Sequence, residues 1–204
     1  GIDWSKNTPT TLLTSPLFHV SGLSAGAVTS LFAGSTTLLY DGRFLASRVI
    51  ELIQKYNVTS WGGAVPTALK RVLDDAEAQG LKMMSVLVVG GGGAPMPPEL
   101  ISRTKDVFPN SKHSFGYGYG LTESGAITII NWGDNLKNEP ASPGQPMPTI
   151  QVQLRDEDGE LIDKDSIEGE IYVKSPSVML GYYNNTLASK DSLTAVSYTH
   201  LTLP

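Results

Sequence analysis

The chain has 204 residues, enough for one or two domains, and its 40% hydrophobic and 17% charged content is that of an ordinary globular protein. It contains no cysteine, so disulfides and cysteine-based zinc sites are excluded, and its net charge of −5 gives no reason to expect nucleic acid or a membrane surface as a partner. No apolar run is long enough to span a bilayer and no signal peptide opens the sequence, which predicts a cytoplasmic protein.

The first 131 residues alternate between predicted strands and predicted helices. The strand-like segments are 10–18, 36–40, 58–61, 86–89 and 113–115, and the helix-like segments are 22–32, 45–56, 66–79 and 97–107. The small apolar residues of 22–32 predict a buried helix, and 36–40 predicts a short buried strand. Strands that alternate with helices indicate an α/β fold with a parallel sheet, and the apolar run 86–89 is typical of a strand covered on both faces.

The character of the sequence changes after about Asn131. Residues 133–149 carry four prolines and predict a loop. The β signals beyond it are an alternating segment, a turn and a further strand, at Gln151–Leu154, Asp156–Gly159 and Gly169–Lys174. We therefore expect an α/β part over 1–131, followed by a β-rich part, antiparallel or a small barrel, over 132–195.

The stretch Ser114–Gly125 reads Ser-Phe-Gly-Tyr-Gly-Tyr-Gly-Leu-Thr-Glu-Ser-Gly. Alternating glycine disfavours both a helix and an ordinary strand, because glycine loses the most entropy on ordering, and it predicts a loop where backbone approaches a ligand. Tyr119, Thr122 and Glu123 could stack a base, donate to a phosphate and hold a hard cation. The alternative is a glycine-rich turn around a core tyrosine. The G-x-G-x-G spacing does not fit a dinucleotide-binding turn.

Five ordered motifs resemble the adenylate-forming superfamily, which includes acyl-CoA synthetases, coumarate-CoA ligases, luciferases and peptide-synthetase adenylation domains. The central one is Tyr119–Glu123, which resembles the Y-G-x-T-E motif. The others are Pro16–Gly22, Val58–Thr67, the G-G-A-P-like Gly91–Met96, and the G-E-[LI]…G-Y-x-N-like pair Gly169–Ile171 and Gly181–Asn185. The resemblance covers most of residues 10–195.

The resemblance implies roles for individual residues around ATP. The residues that it assigns to nucleotide binding are Gly92, Gly93, Ala94, Pro95, Tyr117, Gly118, Tyr119, Gly120 and Thr122. Within this set, the turn at Gly92 forms one wall of an adenine pocket, Tyr119 stacks on the other side, and Thr122 bonds the α-phosphate. Glu123 is the implied Mg²⁺ ligand, and both it and Thr122 are expected to be catalytic. The alternatives are a plain strand-to-helix turn at Gly92 and a helix-capping role for Glu123.

The resemblance also places an acyl site. His19 would lie beside the acyl carboxylate and the thiol tunnel as a third catalytic residue, although a lone histidine at a strand end is often a core residue. Val20, Ala126 and Ile127 are small or aliphatic and would line the acyl pocket with His19, which favours an apolar acid.

The implied function is activation of a carboxylic acid by ATP to acyl-AMP, with transfer to coenzyme A, as in fatty- or aryl-acyl-CoA ligases. The expected cofactors are ATP, Mg²⁺ and coenzyme A, and the expected partners are these and the acid. Two alternatives stay open. One is an adenylation domain that loads another thiol carrier. The other is a hydrolase, since Gly22–Gly26 reads G-x-S-x-G around Ser24 and His113 follows.

The resemblance also predicts which segments should precede and follow these residues. A Ser/Thr/Gly-rich phosphate loop is expected before residue 1, and a ribose-binding Asp, a hinge and a lysine-bearing domain are expected after Asn185. We therefore expect an internal piece of a large N-terminal domain, inactive alone. Residues 196–204 match nothing in the family and predict a non-native tail that belongs to no core.

Overall fold

A computed structural model describes residues 9–111, 114–163, 168–193 and 199–201. The chain divides into two compact units. The first unit comprises the residues up to Tyr119 together with Ile129–Gln145, and the second comprises Gly120–Thr128 together with the residues from Pro146 onward. Within the described ranges, no helix is long and apolar enough to cross a membrane.

A seven-stranded sheet has the order β2-β1-β3-β4-β5-β6-β7. Its strands are β1 Thr10–Leu13, β2 Thr36–Leu39, β3 Ser60–Ala64, β4 Val88–Gly92, β5 Phe115–Leu121, β6 Ala126–Trp132 and β7 Gln145–Pro146. All pairings from β2 through β5 are parallel. This confirms the α/β class with a parallel sheet. The chain passes between the two units within β5, within β6 and within β7.

The helices of the first unit follow the predicted order, with one addition. Its α-helices are α1 Val20–Gly22, α2 Thr29–Phe32, α3 Ala46–Tyr56, α4 Pro66–Ala78, α5 Pro98–Val107 and α6 Gly133–Asn138. A π-helical stretch, Leu23–Val28, joins α1 to α2, and Pro109–Ser111 forms a 3-10 turn. α4 begins with Pro66, whose fixed φ suits a first helical turn. α3 ends at Asn57, which takes the left-handed conformation that terminates helices.

The core of the first unit lies between the sheet and the apolar sides of α3, α4 and α5. The largest side chains with almost no exposure are Trp61, Phe108, Phe115, Leu12, Ile53, Leu69 and Leu73. Complete burial of such a side chain stabilises the fold by about 1.5–3 kcal/mol. The Trp61 indole N–H donates to Thr14 Oγ1 at 3.1 Å, so this buried polar group is satisfied.

The second unit contains an antiparallel sheet of order β10-β9-β8, which confirms the predicted change to antiparallel β structure. Its strands are β8 Gln151–Arg155, β9 Glu170–Lys174 and β10 Thr199–Leu201, and the helix α7 Thr186–Ser192 lies between β9 and β10 in the sequence. β10 pairs with Ile171–Val173 of β9. That 196–204 is a non-native tail that belongs to no core stays a prediction.

Several local predictions were wrong, each for a tertiary reason. Residues 22–32 are helical but only partly buried, with Phe32 94% accessible, and β2 is an edge strand rather than a buried one. The glycine stretch is not a loop but strand β5, because pairing with a neighbour on each side offsets the entropy that its glycines lose. The predicted loop 133–149 contains α6, and β6 and α7 were not predicted. His113 lies outside the described residues.

Candidate active site

The turn after β4 is built from backbone alone. Gly92 ends the strand and lies in register with Gly118 of β5, so tightly that a Cβ at Gly92 would lie 2.8 Å from the Gly118 carbonyl oxygen. Gly93 follows with φ 77°, a conformation that favours glycine. These two positions therefore bring main chain, free of side chains, to the carboxyl ends of two adjacent parallel strands, where open α/β sheets bind ligands.

The predicted nucleotide residues that follow this turn form an open rim. Gly93, Ala94 and Pro95 are all exposed. Met96 is 4% exposed and packs so closely over Gly91 that a Cβ there would lie 2.6 Å from Met96 Cε. The buried Met96 side chain thus anchors this turn, while Gly93, Ala94 and Pro95 stay exposed.

The two tyrosines of β5 have different surroundings although they share a face of the strand. Tyr117 is buried, and its hydroxyl lies 2.6 Å from both the Pro140 and Ser142 carbonyl oxygens, to which it donates. Its side chain is therefore a structural tie within the first unit. Tyr119 is half-buried, and burial raises the pKa of its phenol. Of the two, only Tyr119 presents a ring at the surface for stacking.

Thr122 and Glu123 lie on a 3-10 turn, Thr122–Ser124, which belongs to the second unit. Gly125 closes the turn with φ 83° and is followed by β6 rather than by an α-helix, which removes the helix-capping interpretation of Glu123. The Thr122 side chain is exposed and Glu123 is half-buried. One short turn therefore carries a hydroxyl and a carboxylate on consecutive residues.

Sequence reasoning did not find the partner of Glu123. The Tyr182 hydroxyl donates to Glu123 Oε1 at 2.6 Å, across 59 positions of sequence. This hydrogen bond and, to a smaller extent, burial raise the pKa of Tyr182. The signal was present in the Gly-Tyr-Tyr-Asn motif, which the sequence assigned to the family without a role for its tyrosines.

Gly120, Ala126 and Ile127 come together in the second unit. A Cβ at Gly120 would overlap the Ala126 carbonyl group, and its next neighbour would be the Ile127 Cα at 2.8 Å. Ala126 has φ 157°. Ile127 is 41% exposed. The predicted nucleotide residue Gly120 and the two predicted acyl-pocket residues thus face each other across one strand pair.

His19 caps a helix in the first unit. Its Nδ1 accepts from the Ser21 backbone N–H at 3.2 Å and lies 2.8 Å from Ser21 Oγ, and the side chain is exposed. With Nδ1 accepting from the Ser21 N–H, the neutral ring carries its proton on Nε2. Val20 is the first residue of α1 and is half-buried.

The structure does not support the hydrolase alternative. Ser24 lies inside the π-helical stretch, ten residues or more beyond β1, and its carbonyl accepts from Thr29 Oγ1 at 2.9 Å. A nucleophile elbow requires a sharp strand-to-helix turn at the serine, and this geometry is absent there.

The residues fit a magnesium ion that is shared with phosphates. Among the described residues, no group of three or more His, Asp or Glu side chains could hold a metal. Mg²⁺ is usually bound by one or two carboxylates together with substrate phosphates and water, so a single carboxylate next to a hydroxyl is compatible with its chemistry. Glu123, with Oε1 engaged by Tyr182, is the side chain that would hold the ion.

A model of the AMP-binding enzyme family matches residues 2–183, so the chain belongs to this family. It is 30% identical to a 4-coumarate–CoA ligase of Pinus taeda over 189 residues, which is 91% of this chain and 34% of that protein. It is 32% identical to a long-chain-fatty-acid–CoA ligase of Thermus thermophilus over 191 residues, which is 88% of this chain and 34% of that protein. The chain thus spans about a third of the length of these relatives.

A solved structure has the same fold over nearly the whole chain. It is o-succinylbenzoate–CoA synthetase (MenE) of Bacillus subtilis in complex with ATP and magnesium, with a TM-score of 0.81 and 28% identity over 98% of this chain and 39% of that one. The same enzyme has been solved with its acyl-adenylate intermediate. The large and small sheets described above are therefore those of an acyl-adenylate-forming enzyme fold.

Proposed function

We propose that the protein containing this chain activates a carboxylic acid with ATP and transfers the acyl group to coenzyme A. The observation that carries this proposal is the run of side chains along the end of β5 and the turn after it, which are the half-buried Tyr119, the exposed Thr122 and the anchored Glu123. Membership of the AMP-binding enzyme family supports it. So does the binding of ATP, magnesium and an acyl-adenylate by the structural relative.

Each unit, taken by itself, carries groups suited to one part of a nucleotide. In the first unit, Gly92 and Gly93 let a flat base lie directly against the backbone, and Tyr119 offers its ring for stacking. The side chain of Tyr117 holds the strand from within, so its contribution to the nucleotide is through main chain. In the second unit, the Thr122 hydroxyl donates to an α-phosphate oxygen, and Glu123 would hold Mg²⁺.

The first half-reaction joins two anions. A carboxylate oxygen attacks the α-phosphorus, the bond from that phosphorus to the β-phosphate oxygen breaks, and pyrophosphate leaves with the electron pair. Thr122 stabilises the charge that grows on the α-phosphate. When bound, Mg²⁺ supplies positive charge that offsets the charge of the leaving pyrophosphate.

In the second half-reaction the thiolate of coenzyme A attacks the acyl carbon, and AMP leaves with the electrons of the C–O bond. His19 lies at the start of α1 with Nε2–H available, and Ala126 and Ile127 offer small and aliphatic surface to an apolar acyl chain. An apolar or aryl acid is therefore the proposed substrate class, since the relatives include enzymes named for coumarate and for long-chain fatty acids.

The proposal is tested by acid-dependent exchange of labelled pyrophosphate into ATP, measured on the complete protein that carries this chain. The panel is 4-coumarate, a long-chain fatty acid and o-succinylbenzoate, each with and without coenzyme A. We expect exchange with at least one apolar or aryl acid, and acyl-CoA only when coenzyme A is present. If exchange occurs but only a carrier protein accepts the acyl group, the protein belongs to the other adenylation class. If no acid supports exchange, the proposal is refuted.

A further inference from the structure

One segment of the second unit, Ser175–Tyr182, is hydrogen-bonded to the turn that carries Thr122 and Glu123. The Met179 backbone N–H donates to the Glu123 carbonyl oxygen at 2.7 Å. The Ser177 hydroxyl donates to the Ser124 carbonyl oxygen, also at 2.7 Å. The main chain of the turn is thus held at two consecutive residues by the same segment.

A third contact from this segment reaches the reactive end of Glu123 rather than its backbone. The Tyr182 hydroxyl donates to Glu123 Oε1 at 2.6 Å. A hydrogen bond from a hydroxyl to a carboxylate at this distance is short and charge-assisted, and such bonds are roughly twice as strong as neutral ones. It fixes the rotation of the carboxyl group and directs one oxygen toward Tyr182.

Tyr182 is itself anchored. Its backbone N–H donates to Ser189 Oγ at 2.8 Å, and that hydroxyl in turn donates to the Asn185 carbonyl oxygen at 2.8 Å. The Asn185 side chain accepts from the Ala188 N–H and caps α7. The position of the phenol therefore depends on the first turn of a helix, not on a loose loop.

We propose that Tyr182 is a positioning residue, which holds Glu123 so that its second carboxylate oxygen is presented to Mg²⁺. This inference rests on the proposed function, because it assumes that Glu123 binds the cation. A carboxylate with one oxygen engaged by a neutral donor keeps its full negative charge and loses its freedom to rotate, and ordering a ligand in advance improves binding.

The test compares Tyr182→Phe with Tyr183→Phe in the complete protein. Tyr183 is the next residue and its side chain is 93% exposed, so the same hydroxyl is removed where it contacts nothing in the turn. Two quantities are measured: the Mg²⁺ concentration that half-saturates pyrophosphate exchange, and the binding of Mn²⁺ with a non-hydrolysable ATP analogue, followed by the EPR signal of free Mn²⁺.

Tyr182→Phe is expected to raise the half-saturating Mg²⁺ concentration and to weaken Mn²⁺ binding by about 10-fold or more, consistent with loss of one hydrogen bond to a charged group. Exchange at saturating Mg²⁺ should stay close to that of the parent, and Tyr183→Phe should change neither quantity. Removal of a bond that served only to stabilise the fold would lower the melting temperature without this dependence on Mg²⁺.

A double-mutant cycle separates the inference from the function on which it rests. In a Glu123→Gln background, Tyr182→Phe should have little further effect on metal affinity, because the charge to be positioned is gone. If Glu123→Gln weakens Mn²⁺ binding but Tyr182→Phe does not, the inference is overturned and the proposed function stands. If neither substitution changes Mn²⁺ binding, the metal role of Glu123 fails and the inference fails with it. If Tyr182→Phe does not fold, Ser189→Ala, which frees the tyrosine backbone, must reproduce the metal effect or the inference is overturned.

Discussion

Glu123 is held at both ends, since its carbonyl accepts from Met179 and its carboxylate from Tyr182. A group placed with this rigidity can act as a fixed electrostatic partner, which loses no energy to reorganisation when charge develops nearby. Because the charge that grows during adenylation is that of pyrophosphate, the effect of Glu123 should be confined to that half of the reaction.

Glu123→Gln keeps the shape of the side chain and removes its charge. We predict that adenylation falls by about 10²–10³-fold, the typical loss for one preorganised electrostatic partner, and that higher Mg²⁺ restores part of the rate. Transfer to coenzyme A from preformed acyl-AMP should be much less affected, because no pyrophosphate leaves in that step. The measurement is the rate of each half-reaction, with Glu157→Gln, an exposed turn residue, as the control. Equal loss in both halves would return Glu123 to a structural role.

His19 raises a different question at the same scale, because the structure gives it a cap and the family resemblance gives it a place in the acyl site. His19→Ala should lower stability by about 0.5–2 kcal/mol, the usual effect of removing an N-cap acceptor. His19→Asn supplies another good cap and should restore most of that loss. The free energy of unfolding tests the cap. Thiol transfer in the stable Asn variant tests the ring, and an unchanged rate there would contradict the acyl-site role.

At the scale of elements, β5 shows why local sequence rules failed where they did. α3 and α4 were predicted because the spacing of apolar residues repeats within each helix, and the structure agrees to within a residue or so at their ends. The glycines of β5 are instead required by contacts with residues that are distant in the sequence. Gly116 lies against Asn131 and Trp132, and Gly120 lies against Ala126. Such requirements arise only when the strands pair, so the glycines by themselves predict a loop.

The Tyr182–Glu123 hydrogen bond could not be predicted from sequence for the same reason. Both motifs that carry these residues were identified from sequence, but the contact joins positions 59 apart and depends on the fold of the second unit. The structure places Thr122 and Glu123 side by side, as the motif requires, and it gives Tyr117 a buried role that spacing alone could not distinguish from that of Tyr119.

This account of β5 predicts opposite outcomes for two Gly→Ala substitutions. At Gly120 an added Cβ would overlap the Ala126 carbonyl, and overpacking of this kind costs about 1–3 kcal/mol. At Gly62 of β3 nothing lies within 4 Å of the new Cβ and φ is ordinary, so alanine should be neutral or should stabilise by about 0.5–1 kcal/mol. Thermal or urea unfolding of the two variants of the complete protein provides the comparison, and equal effects at both sites would contradict the steric explanation.

At the scale of the whole molecule, the exposed apolar surface is the feature that bears on self-association. Large apolar side chains are exposed along and just before the helical segment Val20–Phe32 of the first unit, namely Phe18, Leu23, Val28, Leu31 and Phe32. Beneath it a groove of about 470 Å³ opens onto β1 and β3, lined by small residues such as Ala25, Gly26 and Ala33. Single exposed apolar residues are common, but several large ones on one short segment favour self-association.

The last prediction concerns the 204 residues expressed by themselves. The chain spans about a third of the length of its relatives, and the exposed helical segment and the edge strand β2 both favour self-association. We predict that the isolated chain elutes as soluble aggregates or partitions into the pellet, and that it forms no acyl-AMP with any acid that the complete protein uses. Light scattering and pyrophosphate exchange measure the two properties on one preparation. Replacing Phe18 and Phe32 by Ser should improve solubility without creating activity, since it removes adhesive surface and adds no catalytic group. A monomeric chain that exchanges pyrophosphate at the rate of the complete protein would contradict this prediction and would place the whole adenylation machinery within these residues.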